Sequence, residues 1–96
     1  MASDKEYLEY VSELLKEVGN VTYKKMMGEF LLYSGGVLFG GVYDNRFLIK
    51  KTPSVATIGL SEELPYDGAK PMLIIDTEDP TEIKSLVEKV IDDLKN

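Results

Sequence analysis

The chain of 96 residues carries 17 Asp and Glu against 11 Lys and Arg, for a formal charge of −6 at pH 7, and has neither histidine nor cysteine. Its length and 44% hydrophobic content suit one globular core and leave no room for two. Without imidazole or thiol, histidine acid–base catalysis, cysteine nucleophiles, disulfides and metal centres built from nitrogen or sulfur ligands are all excluded.

The first predicted element is a helix from Asp4 to Val18, because Tyr7, Leu8, Val11, Leu14, Leu15 and Val18 recur at three- and four-residue intervals. Ser3 followed by Glu6 has capping-box spacing, and Gly19-Asn20 supplies a stop. From Tyr23 onward the pattern changes to short β-prone runs separated by turn residues, as in an antiparallel meander. Four strands are expected near Tyr23 to Met27, Glu29 to Tyr33, Val37 to Tyr43 and Arg46 to Lys51. Gly28 marks the first bend, Ser34-Gly35-Gly36 the second, and Asp44-Asn45 a two-residue hairpin whose residues both tolerate positive φ. In the fourth strand Phe47 and Ile49 alternate with Arg46, Leu48 and Lys50, so one face is expected to be apolar and the other mostly wet.

Thr52-Pro53 reads as an N-cap followed by proline at the first helical position, opening one or two helical turns as far as Ile58. Leu60 to Pro71, with Pro65, Asp67-Gly68 and Pro71, reads as a surface connection. Met72 to Ile75 is dense enough in apolar residues for a strand buried on both faces. The closing helix has an apolar stripe of Ile83, Leu86, Val87, Val90, Ile91 and Leu94, with Asp79 as cap, Pro80 in first position and Glu82 at capping-box spacing. The expected fold is one α+β domain over residues 1–96, in the order α-β-β-β-β-α-β-α. It has two layers, with a five-stranded antiparallel sheet and helices on one face. No apolar run reaches the roughly 20 residues that span a bilayer, and Met1 to Glu6 lacks the basic-then-apolar order of a secretory signal. The expected location is therefore the cytoplasm.

Few residues point to chemistry. Asp76, Glu78 and Asp79 offer oxygen ligands at a strand end, but they lack the spacing of a calcium loop, and Asp79 is needed as a helix cap. Gly35-Gly36 and Gly40-Gly41 precede no Gly-Lys-Ser/Thr and no helix, so they read as bends or close contacts. No serine or threonine has a base at a spacing that suits catalysis. The expectation is a non-enzyme without catalytic residues, metal or cofactor.

Two features suggest partners instead. Lys24, Lys25, Arg46, Lys50 and Lys51 outweigh Glu29 and Asp44 in the middle of the chain, as an anionic-partner patch or as solvated lysines on strand edges. Met26, Met27, Phe30, Phe39 and Tyr43 form an adaptable apolar set, equally useful on a partner surface or in a core, with alternation placing Met26 and Met27 on opposite faces. Two main helices are too few to cover five strands completely, so an outer apolar patch is expected to serve a protein partner or a homodimer.

Three runs, Lys24-Lys25-Met26-Met27-Gly28-Glu29-Phe30, Gly36-Val37-Leu38-Phe39-Gly40-Gly41-Val42-Tyr43 and Arg46-Phe47-Leu48-Ile49-Lys50, occur in this order. With the later Lys70-Pro71-Met72 and Asp79-Pro80-Thr81-Glu82, this succession resembles the N-terminal domain family of the TfoX/Sxy competence regulators. Met27 stands where that family usually has phenylalanine, Glu29 replaces its second glycine, and Leu73-Ile74-Ile75 replaces a tyrosine-rich strand. The resemblance implies a fold similar to type III secretion chaperones and regulation of competence genes through protein contacts. It also implies a stand-alone version of a domain that the regulators proper join to a second, C-terminal one. The expected contact residues are Lys24, Lys25, Met26, Met27, Phe39, Tyr43, Arg46 and Lys50. A chaperone-like dimer holding an extended segment is the alternative. Nucleic acid is an unexpected partner, because an acidic surface repels phosphate.

Overall fold

The structure, a computed structural model, describes residues 3–96. Met1 and Ala2, which open the segment read for a signal sequence, lie outside the described residues. The elements are α1 (Lys5–Leu14), β1 (Val21–Met26), β2 (Glu29–Ser34), β3 (Val37–Tyr43), β4 (Arg46–Lys50), α2 (Pro53–Ala56), β5 (Glu62–Glu63), β6 (Met72–Ile74) and α3 (Pro80–Lys95). The sheet has six antiparallel strands, in the order β1-β2-β3-β4-β6-β5. The additional strand is β5, inside the stretch expected to be only a surface connection. Its two residues pair with Leu73 and Met72 and are too few to leave a periodic signature.

Because paired residues share a face, the register separates the two sides of the sheet. Phe30, Val42 and Phe47 form one row, and Leu32, Gly40, Ile49 and Leu73 the next. The apolar members of both rows belong to one buried cluster with Leu8 and Val11 of α1, Val55 of α2 and Ile83, Val87 and Val90 of α3. The three helices therefore lie on one face. Lys24, Leu31, Gly41, Leu48 and Ile74 form a row on the opposite, outer face.

A bulge makes the central strand serve both faces. Leu32 pairs with Gly40 and Tyr33 with Leu38, which leaves Phe39 as the extra residue of β3. It turns inward, so Phe39 is fully buried and Leu38 faces out. At Gly40 the strands are so close that a Cβ would lie 2.3 Å from the Leu48 carbonyl oxygen and 3.0 Å from Ile49 Cα. Only a residue without a side chain fits there.

Several ends differ from the expected ones. Ser3 does not cap α1. Its hydroxyl donates to Glu29 Oε1 at 2.7 Å and accepts from the Asn45 N–H at 3.1 Å, and Asp4 takes the cap position without a side-chain bond. The helix loosens into a turn after Leu14, although Leu15 and Val18 still pack in the core. Asn20, not Gly19, takes the left-handed conformation, at φ 54°. In the last helix Asp79 accepts from the Thr81 N–H as expected, but its own N–H donates to Thr77 Oγ1 instead of meeting Glu82, and Leu94 is exposed. Strand β6 is buried on one face only: Leu73 and Ile75 point into the core, while Met72 and Ile74 remain half-exposed. Conversely, Leu48 on the supposedly wet face is fully buried. The short helix ends at Ala56, and the Thr52 hydroxyl is buried without a hydrogen-bond partner. Capping of α2 comes from α3, where the Asp93 carboxylate accepts from the Ser54 N–H at 2.8 Å and the Ser54 hydroxyl at 2.7 Å.

Two outcomes follow for stability. Gly40→Ala is expected to lower it by about 1–3 kcal/mol, because backbone, not a mobile side chain, must give way. A urea midpoint equal to that of the wild type would show that β3 and β4 separate freely. The Ser54 hydroxyl holds the Asp93 carboxyl below the ordinary 3.8, and the nearby Thr52 hydroxyl, although outside hydrogen-bond geometry, and the Ser54 N–H add to the effect. Its contribution is therefore present above that value and lost as pH falls through the lower folded value. The thermal-stability gap between wild type and Asp93→Asn is expected to be constant near neutral pH and to close in strong acid. A gap that survives there contradicts the assignment.

Candidate functional site

Two surfaces stand out, and both belong to the sheet. The first is the free edge at β1. Met27 and Gly28 have φ of 52° and 85°, the positive pair of a two-residue turn, so Met26 and Glu29 close the hairpin. At the other end the Gly35 N–H donates to the Asn20 carbonyl at 3.1 Å. Even-numbered residues of β1 thus bond to β2, and the N–H and C=O groups of Val21, Tyr23 and Lys25 point to the open side. Nothing among the described residues pairs with them. Around this edge Tyr23 is 54% exposed and Met27 96%, with Met26 also exposed. The Tyr23 ring meets Phe30 edge-on, with centroids 5.7 Å apart, which steadies the middle of the strand.

The second surface is a cleft of about 420 Å³ on the outer face. Its floor is Leu38, Gly40 and Met72, and Tyr43 and Lys50 project from the same side of the sheet. The connection after β5 forms its wall, with Pro65, Tyr66 and Lys70. Arg46 fastens that wall. Its guanidinium bonds Glu63 at 2.8 Å and the Leu64 and Pro65 carbonyls at 3.0 and 3.4 Å, the forked recognition that suits arginine. Lys51 pairs with Glu62 at 2.6 Å and anchors the start of the same segment. A Cβ on Gly41 would lie 2.7 Å from the Tyr43 ring, so this second glycine lets the ring lie close to the strand. Burial raises the Tyr43 pKa, with Tyr66, Glu29 and Tyr33 adding to the effect, and the hydroxyl keeps its proton.

The eight expected contact residues do not form one site. Lys24 and Met26 lie on the outer face of β1, Lys25 on the helix face, and Met27 in the turn, where alternation no longer applies. Phe39 is core and unavailable to a partner, and Arg46 is engaged within the chain. Tyr43 and Lys50 reach the cleft. Lys24 and Lys50 share the outer face but stand three strands apart, roughly 14 Å at normal strand spacing. The five basic residues of the middle segment therefore do not make one patch. Lys70, Tyr66 and Pro65 were missed because they lie in an irregular connection; the Lys70-Pro71-Met72 run was the one signal the sequence offered. Asp76, Glu78 and Asp79 remain local: Glu78 accepts from the Tyr10 hydroxyl and Asp79 caps α3. Among the described residues no three acidic groups gather as metal ligands, and no helix is long and apolar enough to cross a membrane.

Compared with protein-family models and with curated proteins, the sequence matches none.

Arg46→Ala is expected to release the wall, seen as faster amide exchange from Leu64 to Lys70, with a stability loss of roughly 1 kcal/mol for this partly exposed pair. Arg46→Lys should restore little, since a single nitrogen lacks the fork by which Nη1 holds the carboxylate and Nη2 the two carbonyls. Unchanged exchange in Arg46→Ala would mean that the wall is held otherwise.

Proposed function

We propose that this protein is a non-enzymatic adaptor domain that binds an extended polypeptide segment by adding it as a strand to the free edge of β1. The observation that carries this reading is the outward-facing set of N–H and C=O groups at Val21, Tyr23 and Lys25. Strand addition draws affinity from such main-chain groups and specificity from neighbouring side chains, here Tyr23, Met26 and Met27. Edge lysines ordinarily discourage pairing. Lys24 and Lys25 discourage indiscriminate pairing and favour a segment with acidic residues, because they flank the open edge on its two faces, with Lys5 of α1 beside Lys25. The resemblance to the TfoX/Sxy N-terminal domain family supplies the setting, regulation of competence genes in the cytoplasm. The lack of histidine and cysteine agrees with a role in contact instead of bond-making.

A second reading, a chaperone-like homodimer, uses the same edge. Pairing β1 with a second copy so that Tyr23 opposes Tyr23 satisfies the outward groups and sets Lys25 against Val21, avoiding a direct lysine pair.

The test is a selection of extended peptides from a display library, followed by amide exchange on the complex. Binders are expected to be enriched in acidic residues and to protect the Tyr23 and Lys25 amides. Lys25→Pro removes one outward donor at a position where an edge strand tolerates proline, and should abolish binding while leaving the circular dichroism unchanged. Absence of binders, or binders indifferent to Lys25→Pro, would falsify the adaptor reading. Sedimentation showing a dimer that Lys25→Pro dissociates would favour the second copy.

A further inference from the structure

We propose that the outer-face cleft is a binding site for a small organic anion bearing a flat ring, its carboxylate or phosphate held by Lys50 and Lys70 and its ring flanked by Tyr43 and Tyr66. The cleft is separate from the β1 edge and carries its own evidence. Its lining includes three lysines and no carboxylate, although acidic residues outnumber basic ones in the chain by 17 to 11. Such a local reversal of sign focuses an attractive field for anions inside a surface that otherwise repels them. Lys51 is committed to Glu62, whereas Lys50 and Lys70 form no ion pair among the described residues. Two ammonium groups therefore remain for a ligand.

The remaining lining fits the rest of such a molecule. Leu38, Met72, Pro65 and Pro71 are apolar, and a volume of about 420 Å³ falls in the range of small-molecule sites. Tyrosine offers both a ring face and a hydroxyl donor, and Tyr43 and Tyr66 both line the cleft. The wall that carries Tyr66 and Lys70 is fastened to the sheet by Arg46, so Lys70 from the connection and Lys50 from β4 line one partly preformed cleft. A cleft of this kind takes the anionic group at the lysines and lays the ring against the apolar floor.

Amide NMR titrations with salicylate and with adenosine monophosphate distinguish a carboxylate from a phosphate source. Inorganic phosphate and benzyl alcohol serve as the anion without a ring and the ring without an anion. Saturable shifts at Lys50, Lys70, Tyr66 and Met72 with either aromatic anion, in the micromolar to millimolar range, are the expected result. Lys50→Gln and Lys70→Gln should each weaken binding about tenfold, the scale of one charge-assisted hydrogen bond, with the fold checked by circular dichroism. Lys24→Gln, on the same face but distant, and Lys25→Pro, at the edge, should leave it unchanged. Absence of shifts at millimolar probe overturns the site. So does equal binding of inorganic phosphate, which removes the ring, or equal weakening by Lys24→Gln, which reduces the effect to general charge.

Discussion

The close approach of β3 and β4 at Gly40 is the constraint on which the rest of the molecule depends. The Leu48 carbonyl occupies the space a side chain would need, so the central pair of strands closes only around a glycine. The bulge beside it admits one extra residue, and that residue, Phe39, fills the core beneath the helices. The same shift sends Leu38 outward, where it becomes part of the cleft floor. A single irregularity in one strand thus completes the apolar core on one face and shapes a concavity on the other. Gly41 extends the effect by leaving room for the Tyr43 ring, so the two adjacent glycines serve opposite faces.

The strands and the long helices were legible because their signals are local. Val37 to Tyr43 is bounded by turn residues at both ends, and Asp44-Asn45 takes the positive φ pair its chemistry allows. The stripe on α3 and the cap at Asp79 likewise follow from spacing within one element. What escaped was set by distant partners. Ser3 looked like a cap because Glu6 follows at the right interval, but Glu29 and Asn45 reach it first in space. Leu48 looked exposed by alternation, and no periodic argument could show that its place on the outer face, between Gly41 and Ile74, is fully buried. Phe39 looked like a contact residue because a bulge, which reverses alternation, leaves little mark beyond the neighbouring glycines. The candidate surfaces were half visible for the same reason: Tyr23 to Met26 could be placed on a strand, with Met27 wrongly added to it, whereas the cleft needs Lys70 and Tyr66 brought from an irregular stretch to Lys50 on β4.

Charge is distributed in a way that separates the two surfaces. Arg46 and Lys51, two of the five basic residues of the middle segment, are consumed in holding Glu63 and Glu62. These bonds tie the short β5 strand and the wall behind it to β4, in addition to the pairing of β5 with β6. Among the described residues Lys50 and Lys70, which line the cleft, form no ion pair, nor do Lys24 and Lys25 on opposite sides of the edge strand. The basic residues thus divide into those that build the outer layer and those that remain available.

The edge strand itself raises a mechanical question, because β1 extends beyond the cover of the helices and all but its first residue are exposed. An uncovered two-stranded ribbon is marginally stable on its own, and a floppy template pays an ordering cost each time it binds. The N-terminal segment answers this. The Ser3 N–H donates to the Gly28 carbonyl in the β1–β2 turn at 3.0 Å, while the Ser3 hydroxyl joins Glu29 to Asn45 in the β3–β4 turn. The Asp4 N–H adds a bond to Asn45 Oδ1 at 2.9 Å, and the Asp44 N–H lies 3.2 Å from the Glu29 carboxylate. Both turns are thereby tied to the start of α1 and, through it, to the core. The hairpin is held at its turn and its Tyr23–Phe30 contact, with only its outer main-chain groups unsatisfied. An edge held in this way retains the extended geometry a new strand needs, and the binding energy of that strand need not be spent on ordering the template.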